Sequence, residues 1–294
     1  METIESLRKQ ISSAQDLHSV VKTMKGIAAV SIRQYERAVE SLRVYSDVVE
    51  RGFQMLVKQQ AEVMSLVRNE EDGVLAAVVF GSDQGMCGSL NRDIAEYTLE
   101  YLSQDTLSAQ ERFFVPIGMR AYSELEETGE KMEAPYALPH AVEGLTSAVR
   151  DVLVSIEQWR EERGVSRVVL FNNRPKRGAS YEPNAVQLLP LPTEWLKDLA
   201  VSPWPTNQLP AHPGDWQTLF AALLRQYLFV ALFRAFAESL ASENASRLAA
   251  MQAAENNIEE KIDDLNARYH RRRQAAITEE LLDVISGFEA LEST

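Results

Sequence analysis

From Ile4 onward, apolar residues recur on a seven-residue beat. Leu7, Ala14, Val21, Ala28, Tyr35, Leu42, Val49, Leu56 and Val63 all fall in one register. The interleaved register is mixed: Ile4, Ile11, Ile32, Val39, Phe53 and Val67 are apolar, whereas His18, Lys25, Ser46 and Gln60 are polar. Together the two registers make a coiled-coil seam of about nine heptads. The pattern predicts a first helix of roughly 65 residues, about 100 Å long at 1.5 Å per residue. The other end of the chain repeats the pattern. Ala237, Ala241, Leu248, Met251, Ile258, Ile262, Leu265 and Tyr269 follow a 4-3 spacing, interrupted by Asn244 and Glu255. After Tyr269 the stripe slips by one residue and resumes as Ile277, Leu281, Val284, Phe288 and Leu291. Such a slip rotates the apolar face or alters the local supercoil. Apolar residues on more than one side of the last turns (Leu281, Leu282, Ile285, Phe288, Leu291) form a surface that needs a partner.

All eleven prolines lie between Pro116 and Pro213. Proline costs about 3 kcal/mol in a helix interior, so two unbroken rods should flank a folded centre. Gly26 is either a tolerated defect of the first rod or a point of close approach. The expected division is a helix over 1–70, an α/β domain over 71–214 and a helix over 215–294. In the centre, Val74 to Phe80 is a continuous apolar run that fits a buried strand. Further strands are predicted at 112–117, 167–171 and 185–191, with helices at 90–102, 119–128 and 145–163. Residues 192–214, rich in Pro and Trp, read as a structured loop. Alternating strands and helices suggest a Rossmann-like sheet.

The net charge is −13, distributed as +2 over 1–68, −10 over 69–214 and −5 over 215–294. This acidity argues against a nucleic-acid surface on the centre. The exception is local: Arg268, Arg271, Arg272 and Arg273 crowd one and a half helical turns. They read either as a solvated face or as a docking patch for partner carboxylates, which guanidinium forks suit. The most apolar run, 219–237, contains Arg225, Gln226 and Arg234 and reads as a buried helix base rather than a membrane span. Residues 1–15 are charged and amphipathic, unlike a secretory leader. A single cysteine excludes an internal disulfide and fits a cytoplasmic setting.

The sequence shows no catalytic constellation. The loop from Gly81 to Asn91 is glycine-rich, yet it lacks a GK[ST] ending and GxGxxG spacing, and Asp83 would oppose a phosphate. Cys87 has no histidine near it in sequence: the four are His18, His140, His212 and His270. HExxH, CxxC and GxSxG are absent. No metal ligand set and no cofactor motif is read. Three readings stay open at this point: a mechanical subunit built on two rods, a scaffold with dimerising coiled-coil arms, and a nucleotide-using α/β enzyme carrying such arms.

Two segments then become diagnostic together. Ser82-Asp83-Gln84-Gly85-Met86-Cys87-Gly88-Ser89-Leu90-Asn91 resembles the SDRGLCGGLN-type loop of the γ subunit of F-type ATP synthases. The stretch from Ala241 to Met251 resembles that family's ASE-A-R-AM segment, Ile262 to Leu265 and Arg273 to Leu281 continue the likeness, and Val284-Ile285-Ser286-Gly287 is similar to its terminal IVSG. The resemblance implies a central-stalk rotor. In it, the two terminal helices wind into an antiparallel coiled coil inside a ring of three α and three β subunits. The α/β domain sits beside the ε subunit and on the membrane-embedded c-ring. Catalysis resides in β, the chain itself needs no cofactor, and the complex lies on the cytoplasmic face of a bacterial inner membrane.

By family position, Arg247, Arg273, Gln274, Thr278 and Glu280 match residues that contact or support the β catch loops. Met24 matches a methionine near the counterpart of Arg247. Leu281, Leu282, Ile285, Phe288 and Leu291 match the bearing tip, and Asp83, Gln84, Gly85, Cys87 and Gly88 the loop of the α/β domain. Departures from the family pattern include Asp16 and Ser31 in the first helix, Gln84 in place of a basic residue, and Asp283 in place of Glu. They resemble an alternative lineage, the N-type ATPases, some of which pump Na⁺.

Overall fold

The computed structural model describes residues 3–60, 62–66, 73–104, 111–176, 180–211 and 214–292, and within these the side chains at 65, 66, 104 and 287–292 fall outside the description. The chain forms two compact units, Met1–Ala28 with Leu248–Thr294, and Ala29–Arg247. Two long helices each contribute to both: α1 (Ile4–Gln59) and α7 (Trp216–Glu292). Each is started by a side-chain cap. Ser6 N donates to Thr3 Oγ1 at 3.2 Å, and Thr218 N donates to Asp215 Oδ2 at 3.1 Å, satisfying donors that a helix start leaves open.

In the first unit, α1 and α7 run antiparallel. Arg8 donates to Tyr269 Oη at 2.8 Å, His18 lies 3.2 Å from Glu259, and Lys25 bonds Gln252 and Glu255. Rising numbers on one helix thus meet falling numbers on the other. Leu7, Val21 and Ala28 are buried on α1, and Met251 and Leu265 on α7. Gly26 has nothing within 4 Å of where a Cβ would stand, which makes it an uncovered helix defect in this chain.

The second unit is a layered α/β structure. Its sheet has the order β2-β1-β3-β4, with β1 (Val74–Phe80), β2 (Arg112–Ile117), β3 (Val165–Lys176) and β4 (Ser180–Leu189). β1, β2 and β3 are parallel, and β4 returns antiparallel to β3. The strand β1 explains its own composition. Leu75, Ala77 and Val79 pack with Ile94 and Leu102 of α3 (Leu90–Gln104) and Leu125 of α4 (Met119–Glu126). Ala76, Val78 and Phe80 face α5 (Leu145–Arg163) and α7 residues such as Phe236. A strand covered on both faces needs no polar alternation. Phe80 and Phe236 meet edge to face at 4.9 Å, and burying each ring contributes about 1.5–3 kcal/mol. A left-handed Gly164, φ 65°, ends α5.

Three expectations are corrected. The first rod stops at Gln59 rather than near residue 67, and a short helix α2 (Val63–Leu66) follows. The chain turns there because Val63 buries completely in a separate cluster with Phe53, Leu56, Leu191, Leu196 and Leu199. Lys58 Nζ and Gln59 Nε2 close the helix end by donating to Ala200 O at 2.7 Å and Pro210 O at 3.0 Å. Val67 lies outside the described residues. The second correction concerns 192–214, which is not only loop: α6 spans Thr193–Val201. Pro192 at its N-cap costs no helical hydrogen bond, and Leu196 and Leu199, three apart, present one apolar face to the cluster. β3 also runs on to Lys176 and β4 begins at Ser180, because a two-stranded ribbon pairing 172–176 with 180–184 extends past the sheet core.

Candidate functional site

Within the second unit, α7 presents an unusual face to the end of the sheet. Ser239, Ser242, Glu243, Asn244, Ser246 and Arg247 are all polar and all buried. Ser242, Ser246 and Arg247, with the neighbouring Glu238, bond the glycine-rich loop and the C-terminal part of β3. Ser242 Oγ donates to Asn173 O at 3.0 Å, Ser246 Oγ to Cys87 O at 2.6 Å, and Asn172 Nδ2 to Glu238 Oε2 at 3.1 Å. Arg247 closes the cluster. Its Nη2 donates to Glu243 Oε1 at 2.6 Å and reaches Gly85 O at 3.5 Å, and its Nη1 reaches Asn244 Oδ1 at 3.5 Å. Burial pushes the Glu243 carboxyl above the usual carboxylate range, Asp83 adds to the push, and Arg247 pulls against it. Glu243 Oε2 and Arg247 Nε are buried without a hydrogen-bond partner among the described residues.

The loop is built as a brace. Asp83 accepts from Met119 N at 3.0 Å and from Leu138 N at 2.9 Å, and Ser82 N donates to Asn91 Oδ1 at 2.8 Å. These backbone N–H groups are the kind a bound phosphate would use, and here side chains of the same chain already take them. Ser82 Oγ and Cys87 Sγ both point at Gln84 O, and Cys87 is 2% exposed. Gly88, φ 59°, stands where a Cβ would lie 3.2 Å from Ser246 Oγ. Gly118, φ 101°, sits where a Cβ would come within 2.8 Å of Ser82 backbone. Both positions therefore require glycine. The structure thus brings Asp83, Gln84, Gly85, Cys87, Gly88 and Arg247 into one cluster.

In the first unit, the remaining sequence candidates lie on the far part of α7. Arg268 pairs with Asp264 at 2.9 Å. Arg271, Arg272 and Arg273 are exposed and have no ion pair among the described residues. Leu7, Arg268, Arg271, Arg272 and Ala275 line a shallow groove. Gln274, Thr278 and Glu280 are exposed, and the Thr278 hydroxyl donates to Gln274 O at 2.9 Å. Met24 is half-buried on α1. Pairing weakens beyond Tyr269, over which Arg8 stacks at 5.5 Å. From Ile277 to Ser286 every residue is exposed, with Leu281 57%, Leu282 56% and Ile285 45% exposed. The side chains of Phe288 and Leu291 lie outside the described residues. Helix α7 is long and apolar enough to cross a membrane, with a window of mean hydropathy 1.5. Leu228, Leu232, Phe236 and Ala237 of its apolar stretch are buried against the sheet.

Sequence reasoning missed several partners. Glu243, Asn244 and Ser246 complete the Arg247 cluster, and the i, i+4 spacing of Glu243 and Arg247 was the available signal. Arg8, which holds Tyr269, carried none.

A family model described as ATP synthase matches residues 3–291. The ATP synthase gamma chain of Salinibacter ruber is 30% identical, the alignment covering 100% of this chain and 100% of that protein. The gamma chain of a Sulfurovum species is 26% identical over 99% of this chain and 100% of its own length. Among solved structures, a chain of the Euglena gracilis mitochondrial ATP synthase rotor superposes with a TM-score of 0.64 at 18% identity, covering 93% of this chain and 98% of that one. A chain of the Tetrahymena thermophila mitochondrial central stalk and c-ring superposes with a TM-score of 0.56 at 21% identity, covering 80% and 99%.

Proposed function

The chain belongs to the ATP synthase gamma-chain family, and from that premise we propose how its residues serve a rotor. It is a central-stalk subunit of a rotary ATP synthase, a membrane-associated complex. In this reading it catalyses nothing itself: it carries torque between a c-ring and the catalytic β subunits of an α3β3 ring, with an ε subunit beside its α/β unit. Its place is peripheral, on the cytoplasmic face of a bacterial inner membrane. Functionally we divide the chain into an N-terminal segment over 1–70 that carries α1, an α/β domain over 71–214 and a C-terminal segment over 215–294 that carries α7.

The observation that carries this reading is α7. One proline-free helix holds both the buried polar face gripping β3 and the loop and, 24 to 26 residues beyond Arg247, the exposed Arg271, Arg272 and Arg273, which have no ion pair among the described residues. Torque applied to the sheet unit enters α7 through Ser242, Ser246 and Arg247, whose hydrogen bonds are buried and thus poorly exchanged with water. The helix conveys it to a basic face suited to acidic loops on β. Met24, Arg247, Gln274, Thr278 and Glu280 contact or support those loops. Leu281, Leu282, Ile285, Phe288 and Leu291 form an apolar bearing, whose low directional specificity lets a shaft turn.

The test is reconstitution with α and β subunits, reading ATP-driven rotation of a bead fixed to this chain. Rotation is the expected result, and assembly without rotation overturns the rotor reading. Replacing Arg271, Arg272 and Arg273 by alanine should lower coupled turnover without changing the unfolding midpoint of the isolated chain. Unchanged rotation and turnover in that variant would remove the docking patch from the mechanism.

A further inference from the structure

The seam of the first unit contains a polar layer at His18 and Glu255, positions where the heptad calls for apolar side chains. His18 Nε2 lies 3.2 Å from Glu259 Oε1 and 3.9 Å from Glu255 Oε1. The three ligand atoms are all within 4.8 Å of one another. Glu255 and Glu259 are one helical turn apart, so both carboxylates leave α7 on the side that meets His18 of α1. Lys25 engages the other oxygen of Glu255, Oε2. That bond fixes the carboxylate plane and leaves Oε1 turned toward His18, as an outer-shell partner orients a metal ligand. The Glu255 side chain is 9% exposed, and Oε1 makes no hydrogen bond among those of the described residues.

From this juxtaposition we propose that His18, Glu255 and Glu259 form a binding site for a divalent transition metal of the zinc class, bridging α1 and α7. A tetrahedral ion with bonds of about 2.0–2.2 Å to imidazole nitrogen and carboxylate oxygen separates its ligand atoms by little more than 3 Å, and the His18–Glu259 distance is already of that size. The donor set selects the ion. One imidazole and two carboxylate oxygens suit Zn²⁺, Co²⁺ or Ni²⁺, whereas Ca²⁺ and Mg²⁺ require about six oxygens. The fourth position is left to water, and the nearby Lys25 and Lys22 charges hold the affinity below that of a four-ligand structural zinc. The bound ion acts as a reversible brace between the two helices of this unit.

The experiment is a calorimetric titration of the chelator-stripped full-length chain with Zn²⁺. Co²⁺ visible absorption reports the coordination geometry, and thermal unfolding is followed with and without Zn²⁺. One ion per chain is expected, with a raised unfolding midpoint and no displacement by excess Ca²⁺ or Mg²⁺. His18→Ala and Glu259→Gln should each weaken binding at least about tenfold and remove the thermal shift. Glu259 is exposed enough, at 60%, that its variant should fold unchanged, which is checked by its metal-free midpoint. No binding to the wild type, wild-type affinity retained in both variants, or displacement by Ca²⁺ or Mg²⁺ would each overturn the proposal.

Discussion

Replacing Arg247 by methionine tests the buried junction of α7 with the glycine-rich loop. The substitution keeps an apolar stem and removes the guanidinium from Glu243, Asn244 and Gly85 O. Glu243, 6% exposed, is then left facing Asp83 with no opposite charge. At an effective dielectric of 20, a charge pair about 4 Å apart is worth about 4 kcal/mol, and breaking a buried pair on one side costs about 3–5 kcal/mol. We expect about 3 kcal/mol, because the methionine refills part of the space. The chain holds one cysteine, Cys87, buried in this same junction. Its labelling by a thiol reagent under native conditions therefore reports opening of this unit alone, after normalisation to the urea-unfolded chain at the same pH. A loss of about 3 kcal/mol raises the open population roughly 150-fold. The pH dependence has a definite sign. Glu243 already sits above its unfolded value, and losing Arg247 raises it further. The folded state then binds the extra proton, so the penalty is absent below the unfolded carboxylate range and grows as pH rises through the folded pKa. The cost at pH 8 should exceed that at pH 5. The double variant Glu243→Leu/Arg247→Met should recover most of the loss, since both charges leave together. An open population within threefold of wild type, or a pH-independent cost, refutes the reasoning.

Gly26→Ala should stabilise the isolated chain by about 1 kcal/mol, since among the described residues nothing beyond its own helix backbone and chain neighbours lies within 4 Å of the added Cβ. A lowered thermal midpoint would contradict the reading of Gly26 as an uncovered defect. Asp83→Ala leaves Met119 N and Leu138 N without their acceptor and should cost about 1–3 kcal/mol in urea unfolding. An unchanged urea midpoint would show that the brace contributes nothing. The triple change Leu281, Leu282 and Ile285→Ser touches only exposed side chains. It should leave the isolated chain within about 0.5 kcal/mol of wild type while weakening its retention in an assembled α3β3 complex in pull-down. A large loss of stability in the isolated chain would mean the tip is packed on itself.

The heptad register was readable because each position depends on its own chemistry. Of the nine apolar positions from Leu7 to Val63, seven are buried and the other two, Ala14 and Leu42, are half-buried. Strand β1 was readable for the same reason: seven consecutive apolar residues leave no solvent face. What failed were the ends and the punctuated segments. Val63 continues the heptad perfectly, yet the chain bends before it, because a satellite cluster around Phe53 and Leu196 buries it better than a longer rod would. That competition involves residues more than 100 positions away, which no local pattern records. Similarly, α6 hides in a Pro-rich stretch. Proline before a helix is neutral while proline within it is costly, so Pro192 marks a start that reads locally as a loop.

The polar interruptions of the two seams teach the more useful lesson. Read one helix at a time, His18 and Lys25 on α1 and Glu255 on α7 look like isolated faults in an apolar stripe. In the paired helices they meet. Lys25 bonds Glu255 and Gln252, and His18 faces Glu255 and Glu259. A fault on one strand of a coiled coil is costly unless it meets its complement, and that pairing rejects other registers. An antiparallel shift by one heptad would set Lys25 against Ile262 or Leu248 and strand each charge in an apolar layer. Asn244, the other interruption of the α7 stripe, behaves differently because it lies in the sheet unit. There its amide donates to Leu240 O at 2.8 Å and its carbonyl faces Arg247. The two interruptions are chemically similar in the sequence. One sets the register of the coiled coil and the other completes the junction with the loop, and only the identity of the facing residue separates the two roles.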